Sequence, residues 1–506
     1  MKMLRTKRLL LAGLLATTFA AVGAGRASAA TLTVCPSGCA FSQIAPAIAA
    51  ASPGDTIQVA PGTYSGGFTI DKSLSLIGAG AGATRIKGGG PVITIGTFDA
   101  ASEPTVSING VTITSGVTHS SFAEAFVGPG VIALGGGISV PPSANFGPGA
   151  TVSIENSVIA GNTVAPTSAI DSGLPCPPDI TITCINGDLP FAQAAGGGIN
   201  TFGPLTLTNT TVSGNQAGGP VASDVGPGGI TSIEGGLTLE NSTVTNNQAI
   251  ASAPNGRFAE TGGVAVFSGT LTVDGSRISG NNASLSSSMP SDIPDGTAAM
   301  WGGINVGGGV SGAMITDTTI SGNAATMTNS VGDASASSGG GEISGTLSNV
   351  RLTGNTVSVL SVAGNAFAAG GATVFDGGTI SNSLVSNNRI HVSSPHGKVT
   401  VRGGGLDIAG GATTLLNTPV RGNSVDASGT GGSALGGGIY DVAFPDGPDG
   451  APGGPLVLEN SNVTGNVFAG SAGVTLQGGG LYIQNEPLTL TNSVIADNIP
   501  DQCFGC

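Results

Sequence analysis

Hydrophobic residues recur along this chain in short alternating runs. In LTLTNTTVSGNQA, from Leu205 to Ala217, Leu205 and Leu207 alternate with threonine and Val212 stands alone between polar neighbours. A period of two is the pattern of a strand with one buried face. The phrase returns as LTLENSTVTNNQA from Leu237, LVLENSNVTGNVF from Leu456 and LTLTNSVIADNIP from Leu488. Aligned on its last asparagine it has ten copies, at Asn162, Asn215, Asn247, Asn281, Asn323, Asn355, Asn388, Asn423, Asn466 and Asn498, spaced 32 to 53 residues apart. Such a period marks a solenoid, in which each repeat buries its apolar face against its neighbours.

Three residues before the marker asparagine every copy is aliphatic, from Ile159 and Val212 to Val463 and Ile495. That column predicts core. Six residues before it stand Asn156, Asn209, Asn241, Gly275, Asp317, Asn349, Asn382, Asn417, Asn460 and Asn492. These residue types tolerate a left-handed backbone, so the column predicts a corner between two strands. Stacked about 4.8 Å apart, its side chains are expected to hydrogen-bond in a ladder. A second phrase, GGGI from Gly135, GGGIN from Gly196, GGIN from Gly302, GGGL from Gly403 and GGGLY from Gly478, falls between copies. No Lys-Ser or Lys-Thr follows it, which argues against a phosphate loop. The glycines predict a crowded corner before a third strand.

Three short strands per turn predict an all-β fold class, a right-handed parallel β-helix. Residues 30–130 form the cap and first coils and 131–506 the ten repeats. Ser42 to Ala51 is expected to be a short capping helix, with Ser42 as N-cap and Ile44, Ala47 and Ile48 facing the core. The stretches 139–150, 165–195, 284–300, 325–338 and 441–455 are read as loop insertions. The expected body is a monomeric rod of about 60 Å.

The GG(G/A)I and SGN phrases resemble the repeats of polymorphic outer-membrane proteins and related secreted β-helix proteins of the pectin-lyase-like fold, over residues 130–500. PGDTIQVAPGTY from Pro53 and SLSLIGAG from Ser73 look like the first coils of such proteins. The resemblance implies the fold, which hosts lyases, hydrolases, esterases, adhesins and inert stalks, so function must come from the site. The chain lacks the Asp-Asp and Gly-His-Gly of polygalacturonases, although Arg85-Ile86-Lys87 echoes one of their motifs, and it lacks the Gln-Asp of pectin methylesterases. Pectate-lyase clusters are assembled across coils, which leaves that class open.

Residues 1–29 read as a cleavable signal peptide: Lys2, Arg5, Lys7 and Arg8, then apolar Leu9 to Val22, then Ala27-Ser28-Ala29. Its loss leaves ten basic against 29 acidic residues. That balance excludes non-specific nucleic-acid binding, and no later stretch reaches the roughly 18 apolar residues of a membrane span. Secretion makes the six cysteines a disulfide framework, expected as the local pairs Cys35 with Cys39, Cys176 with Cys184 and Cys503 with Cys506. No cofactor is expected; the one candidate calcium loop carries Asp441, Asp446 and Asp449 without a full ligand pattern.

Charge departs from its background in one stretch, Arg389, His391, His396, Lys398, Arg402 and Arg421. Alternation from Leu406 points Asp407 outward, and the same register in the next coils presents Tyr440 and Tyr482. Arg389, His396, Lys398, Arg402, Asp407, Tyr440 and Tyr482 are therefore the candidate ligand site. The leading expectation is a secreted or cell-surface, non-catalytic β-helix whose loops contact an acidic polysaccharide or a surface protein. The alternatives are an extracellular lyase of acidic glycans, with Lys398 or Arg402 as base beside Asp407, and an inert spacer. Trp301, before a GG corner, is expected to be packed.

Overall fold

The computed structural model describes residues 29–121, 131–175, 185, 188–290, 297–442 and 453–506. Its strands form three parallel sheets, of 23, 18 and 13 strands, and one antiparallel pair, Ile170–Pro175 with Asp188–Phe191. One turn shows how they are built. Ile199–Thr201 and Leu205–Thr208 belong to the widest sheet, Thr211–Ser213 to the narrowest, and Gln216–Gly219 and Asp224–Val225 to the third. Ile230–Ser232 then pairs in parallel with Ile199–Thr201 and starts the next turn. Parallel stacking with this connectivity is a β-helix, right-handed as parallel crossovers of L-residues are.

The aliphatic column is the spine of the main core, with Ile159, Val212, Val244, Ile278 and Ile320 fully buried. All ten corner residues adopt positive φ, from 49° at Asn156 to 56° at Gly275 and Asn349. The expected ladder, however, lies in the other column. Each marker asparagine from Asn162 to Asn466 donates Nδ2 to the Oδ1 of the next, at 2.8 to 3.1 Å. Asn498 ends the series on Gln502 Oε1 at 3.2 Å. The corner asparagines are exposed, and side chain meets side chain where Asn417 donates to Asn382 and Asn349 to Asp317. The reason is solvation: a buried amide must find partners, whereas an exposed one has water.

The glycine corner packs on that ladder. A Cβ on Gly137 would lie 2.9 Å from Asn162 Nδ2 and 2.7 Å from the Gly198 carbonyl. A second ladder sits one residue past the corner, where the Thr210 N–H donates to Ser242 Oγ and the Ser242 N–H to Ser276 Oγ.

Two expectations are corrected. The helix runs Ile44–Ala50 with Gln43, not Ser42, at the N-cap and no side-chain cap bond, while Ile44, Ala47 and Ile48 do plug the core. Much of the sequence read as insertions after the marker asparagine is strand: Asn282–Ser287, Ala324–Asn329 and Ala334–Ser337 all belong to the third sheet. That sheet folds back on itself around a second core of small residues, among them Ala217, Ala249, Ala259, Ala325, Ala336, Ala368 and Val401. Alanine keeps the two layers close. The returning layer ends beside the outer face of the widest sheet, and the angle between them is a groove.

Candidate functional site

The groove floor is the outward position that follows each glycine corner. Backbone pairing stacks Thr69, Thr94, Ser139, Asn200, Thr231, Ala265, Asn305, Glu342, Thr373, Asp407, Tyr440, Tyr482 and Phe504 in one register. Thirteen rungs span about 58 Å at the usual strand spacing. Outward strand positions are normally wet, yet Asn200 is 0% and Asn305 2% exposed, because the returning layer stands over them. Neither Asn200 side-chain atom has a protein partner, nor do Thr231 Oγ1, Asn305 Oδ1 or Asp407 Oδ1. Buried polar atoms are normally satisfied, so a run of unsatisfied ones along one groove points to a ligand surface.

Upstream, the groove widens to a cleft of about 330 Å³. Asn200 and Thr231 form its floor, Asp224 and Glu260 come from the returning layer, and Phe146, Phe202, Phe258 and Phe267 supply apolar wall. Burial raises the Asp224 carboxyl, with Arg257 pulling the other way. Burial and then the Asp224 charge push Glu260 up to about 7. Next to Glu260, Thr261 has φ 58°, and at the corner of the following coil Trp301 has the same value. Left-handed geometry is costly for a β-branched or bulky residue and gathers at functional sites. Trp301 is partly buried and its indole N–H donates to Glu342 Oε2 on the floor at 3.0 Å.

Downstream, Asp407, Tyr440 and Tyr482 share the floor in register. The two tyrosine rings stack at 5.5 Å and 10°, and Tyr482 stacks on Phe504 at 4.9 Å and 3°. Rings stacked along the rod turn edges rather than faces to the groove, and the Tyr482 hydroxyl donates to Gln484 Oε1 at 3.2 Å. Arg402 belongs to the opposite wall rather than to this strip, with its guanidinium 5.5 Å from the Tyr440 ring centre and 5.3 Å from that of Phe367. Asp407 takes the outward position but keeps only 7% of its surface, and burial lifts it to about 6, with Arg402 lowering and Glu342 raising it. Burial chiefly pushes Tyr440 up to about 12.

The rest of the basic stretch is dispersed. Strand Arg389–Arg402 folds over the second core with Ile390, Val392, Val399 and Val401 inside, which places Arg389 and His391 on the face away from the groove. His391 faces Asp426 at 3.2 Å there. His396 is exposed at the fold, Lys398 on the outer rim and Arg421 on the narrowest sheet. Asp441 faces inward between Ile408 and Ile483, and burial, then Glu486 and Asp407, push it up to about 7. Asp446 and Asp449 lie outside the described residues, as do Cys176 and Cys184. Among the described residues no three metal-ligating side chains gather. Cys35–Cys39 and Cys503–Cys506 are disulfides.

The floor was readable wherever the residue after the GGxI phrase carried an unusual side chain, as at Asp407, Tyr440 and Tyr482. Asn200, Thr231, Asp224 and Glu260 were missed because no returning layer was expected to stand over the floor.

Fold and site together define a parallel β-helix with a cleft on one side, over the outward column of its widest sheet. No family model and no curated relative matches the chain. Among solved structures it is similar to the A-modules of two Azotobacter vinelandii mannuronan C-5 epimerases. AlgE6 is 15% identical with a TM-score of 0.32, covering 88% of this chain and 93% of that one. AlgE4 is 12% identical with a TM-score of 0.31, covering 91% and 93%. A family 28 exopolygalacturonase of Yersinia enterocolitica is 11% identical with a TM-score of 0.29, covering 90% of this chain and 75% of that one.

Proposed function

We propose that this chain is an extracellular, non-catalytic β-helix that binds an extended glycan along its groove. The observation that carries the reading is the floor column, where the buried polar side chains of Asn200, Thr231, Asn305 and Asp407 have atoms without protein partners and the first two floor a cleft. Hydroxyl-rich rings supply the donors and acceptors that such a floor asks for. Secretion fits the disulfides, the signal-like leader and Asp55, which accepts the Ala30 N–H at 2.7 Å. Cleavage after Ala29 would turn that contact into an ion pair with the new terminus.

Proton abstraction from a uronate finds little support at Arg402 or Tyr440. An arginine stays protonated, and Tyr440 is pushed up to about 12. The lyase reading rests on Asp407, whose carboxyl at about 6 is matched to proton transfer near neutrality. Isothermal titration of the secreted protein with neutral, uronate and amino-sugar oligosaccharides tests both readings. Asn305→Leu, on the floor, is expected to weaken binding about tenfold or more without lowering the melting temperature. Equal affinity for the variant would refute groove binding. Unsaturated uronate appearing by ultraviolet absorbance, and vanishing in Asp407→Asn, would establish the lyase.

A further inference from the structure

Each stretch of the groove sets one arginine beside two carboxyls: downstream Arg402 with Asp407 and Glu342, upstream Arg257 with Asp224 and Glu260. Arg257 offsets part of the Asp224 charge, whereas both influences on Glu260, burial and Asp224, act in the direction of holding its proton. A uronate in this cleft would add a third carboxylate to the pair and be repelled. A neutral ring would satisfy Asn200 and Thr231 but bring Glu260 no opposite charge. The Phe258 ring already carries the Arg257 guanidinium, 5.2 Å from its centre, and Phe267 lines the same cleft.

We propose that the upstream cleft binds an unsubstituted amino-sugar residue, its ammonium group held by Glu260 and Asp224 and its hydroxyls by Asn200 and Thr231. An ammonium brings three donors to carboxylate acceptors, and a charged hydrogen bond in a partly desolvated site is stronger than a neutral one. The floor atoms Asn200 Oδ1 and Nδ2 and Thr231 Oγ1, buried and without protein partners, provide the remaining contacts for a pyranose ring. The site lies five rungs from Asp407, about 24 Å along the rod. One chain could therefore engage both stretches, with a cationic residue upstream.

The inference rests on the groove being a glycan site, and its test separates the two. Titration calorimetry would compare a glucosamine hexamer, its fully N-acetylated form and a cello-oligosaccharide of equal length, on wild type, Glu260→Gln and Arg402→Ala. Glu260→Gln keeps shape and hydrogen bonding, and unchanged melting would show that it folds. The expected result is about tenfold tighter binding of the free amine than of either neutral chain in wild type. That preference should disappear in Glu260→Gln and persist in Arg402→Ala. Neutral chains bound as tightly as the amine, or an amine preference untouched by Glu260→Gln, would overturn the amino-sugar assignment and leave the groove intact as a glycan site. Failure of all three chains to bind would overturn the amino-sugar assignment, and failure of a uronate oligomer beside them would overturn the groove as a glycan site as well.

Discussion

Asn200 and Asn215 are both 0% exposed and lie in the same turn of the helix. Asn215 is saturated: Nδ2 donates to Ile159 O at 3.0 Å and Asn247 Oδ1 at 2.9 Å, while Oδ1 accepts from the backbone N–H and Nδ2 of Asn162 at 3.0 and 2.9 Å. Asn200 has no protein partner at either side-chain atom. The first faces the corner where glycine backbones converge, and the second faces the groove. A buried amide with every bond made holds the fold together, whereas one with none is an expense that folding alone does not justify. The contrast repeats along the rod, with the marker ladder on one side and Thr231, Asn305 and Asp407 on the other.

The largest expected effect comes from exchanging the two for the same apolar residue. Asn215→Leu takes the acceptor from the Asn162 backbone N–H and one bond each from Asn162 Nδ2, Asn247 Oδ1 and the Ile159 carbonyl, and should destabilise by about 3 to 5 kcal/mol in denaturant unfolding. Asn200→Leu removes an unsatisfied buried amide for a side chain of similar volume and should be neutral or stabilise by about 1 kcal/mol. Equal losses at both positions would break the comparison.

A second test uses the groups that share the predicament of Asn200 but titrate. Glu260 is pushed up to about 7, Asp407 to about 6 and Asp441 to about 7, in each case first by burial. Each folded-state pKa lies above that of the unfolded chain, so between roughly pH 4 and 7 the native protein holds protons that the unfolded chain has released. Stability should therefore fall as pH rises through that window, by on the order of 3 kcal/mol for each group. Asp55 opposes this, since backbone N–H groups of Ser52 and Ala30 lower its pKa and its contribution is lost as pH falls. Melting temperatures across the window would record the slope, and Asp441→Asn should flatten it. A stability that rises toward pH 7 would contradict the burial of these carboxyls.

What could be read from sequence was what the backbone makes compulsory. The left-handed corner demands Asn, Asp or Gly, and the crowded corner excludes a Cβ, so Asn209 and Gly198 announce themselves. The aliphatic column is legible because the main core is wide enough for Ile, Val and Leu. The second core is thin and rich in alanine, and stretches such as Ala324–Asn329 have the composition of a loop. Missing that layer hid the groove wall, and with it the difference between an outward residue in water and an outward residue under cover. Asp407, Tyr440 and Tyr482 were placed on their strip by register alone, but their partner Arg402 was assigned to the strip instead of to the wall.

The smallest effect belongs to the exposed corner column, where the same amino acid does a third job. Asn209 sits at φ 49° with its side chain exposed, and its backbone N–H bonds to Glu240 O at 3.0 Å whatever side chain it carries. Its contribution is therefore conformational: a short polar side chain tolerates the left-handed region that a branched apolar one resists. Asn209→Leu should destabilise by about 1 to 2 kcal/mol, less than Asn215→Leu. Asn209→Gly should change stability by less than about 0.5 kcal/mol, since the easier backbone is offset by a freer unfolded chain. Gly275 already fills the equivalent corner with φ 56°. Thermal unfolding of the two variants beside wild type decides the matter, because a Gly variant as unstable as the Leu variant would mean that side-chain bonding, and not backbone geometry, holds the outer corner.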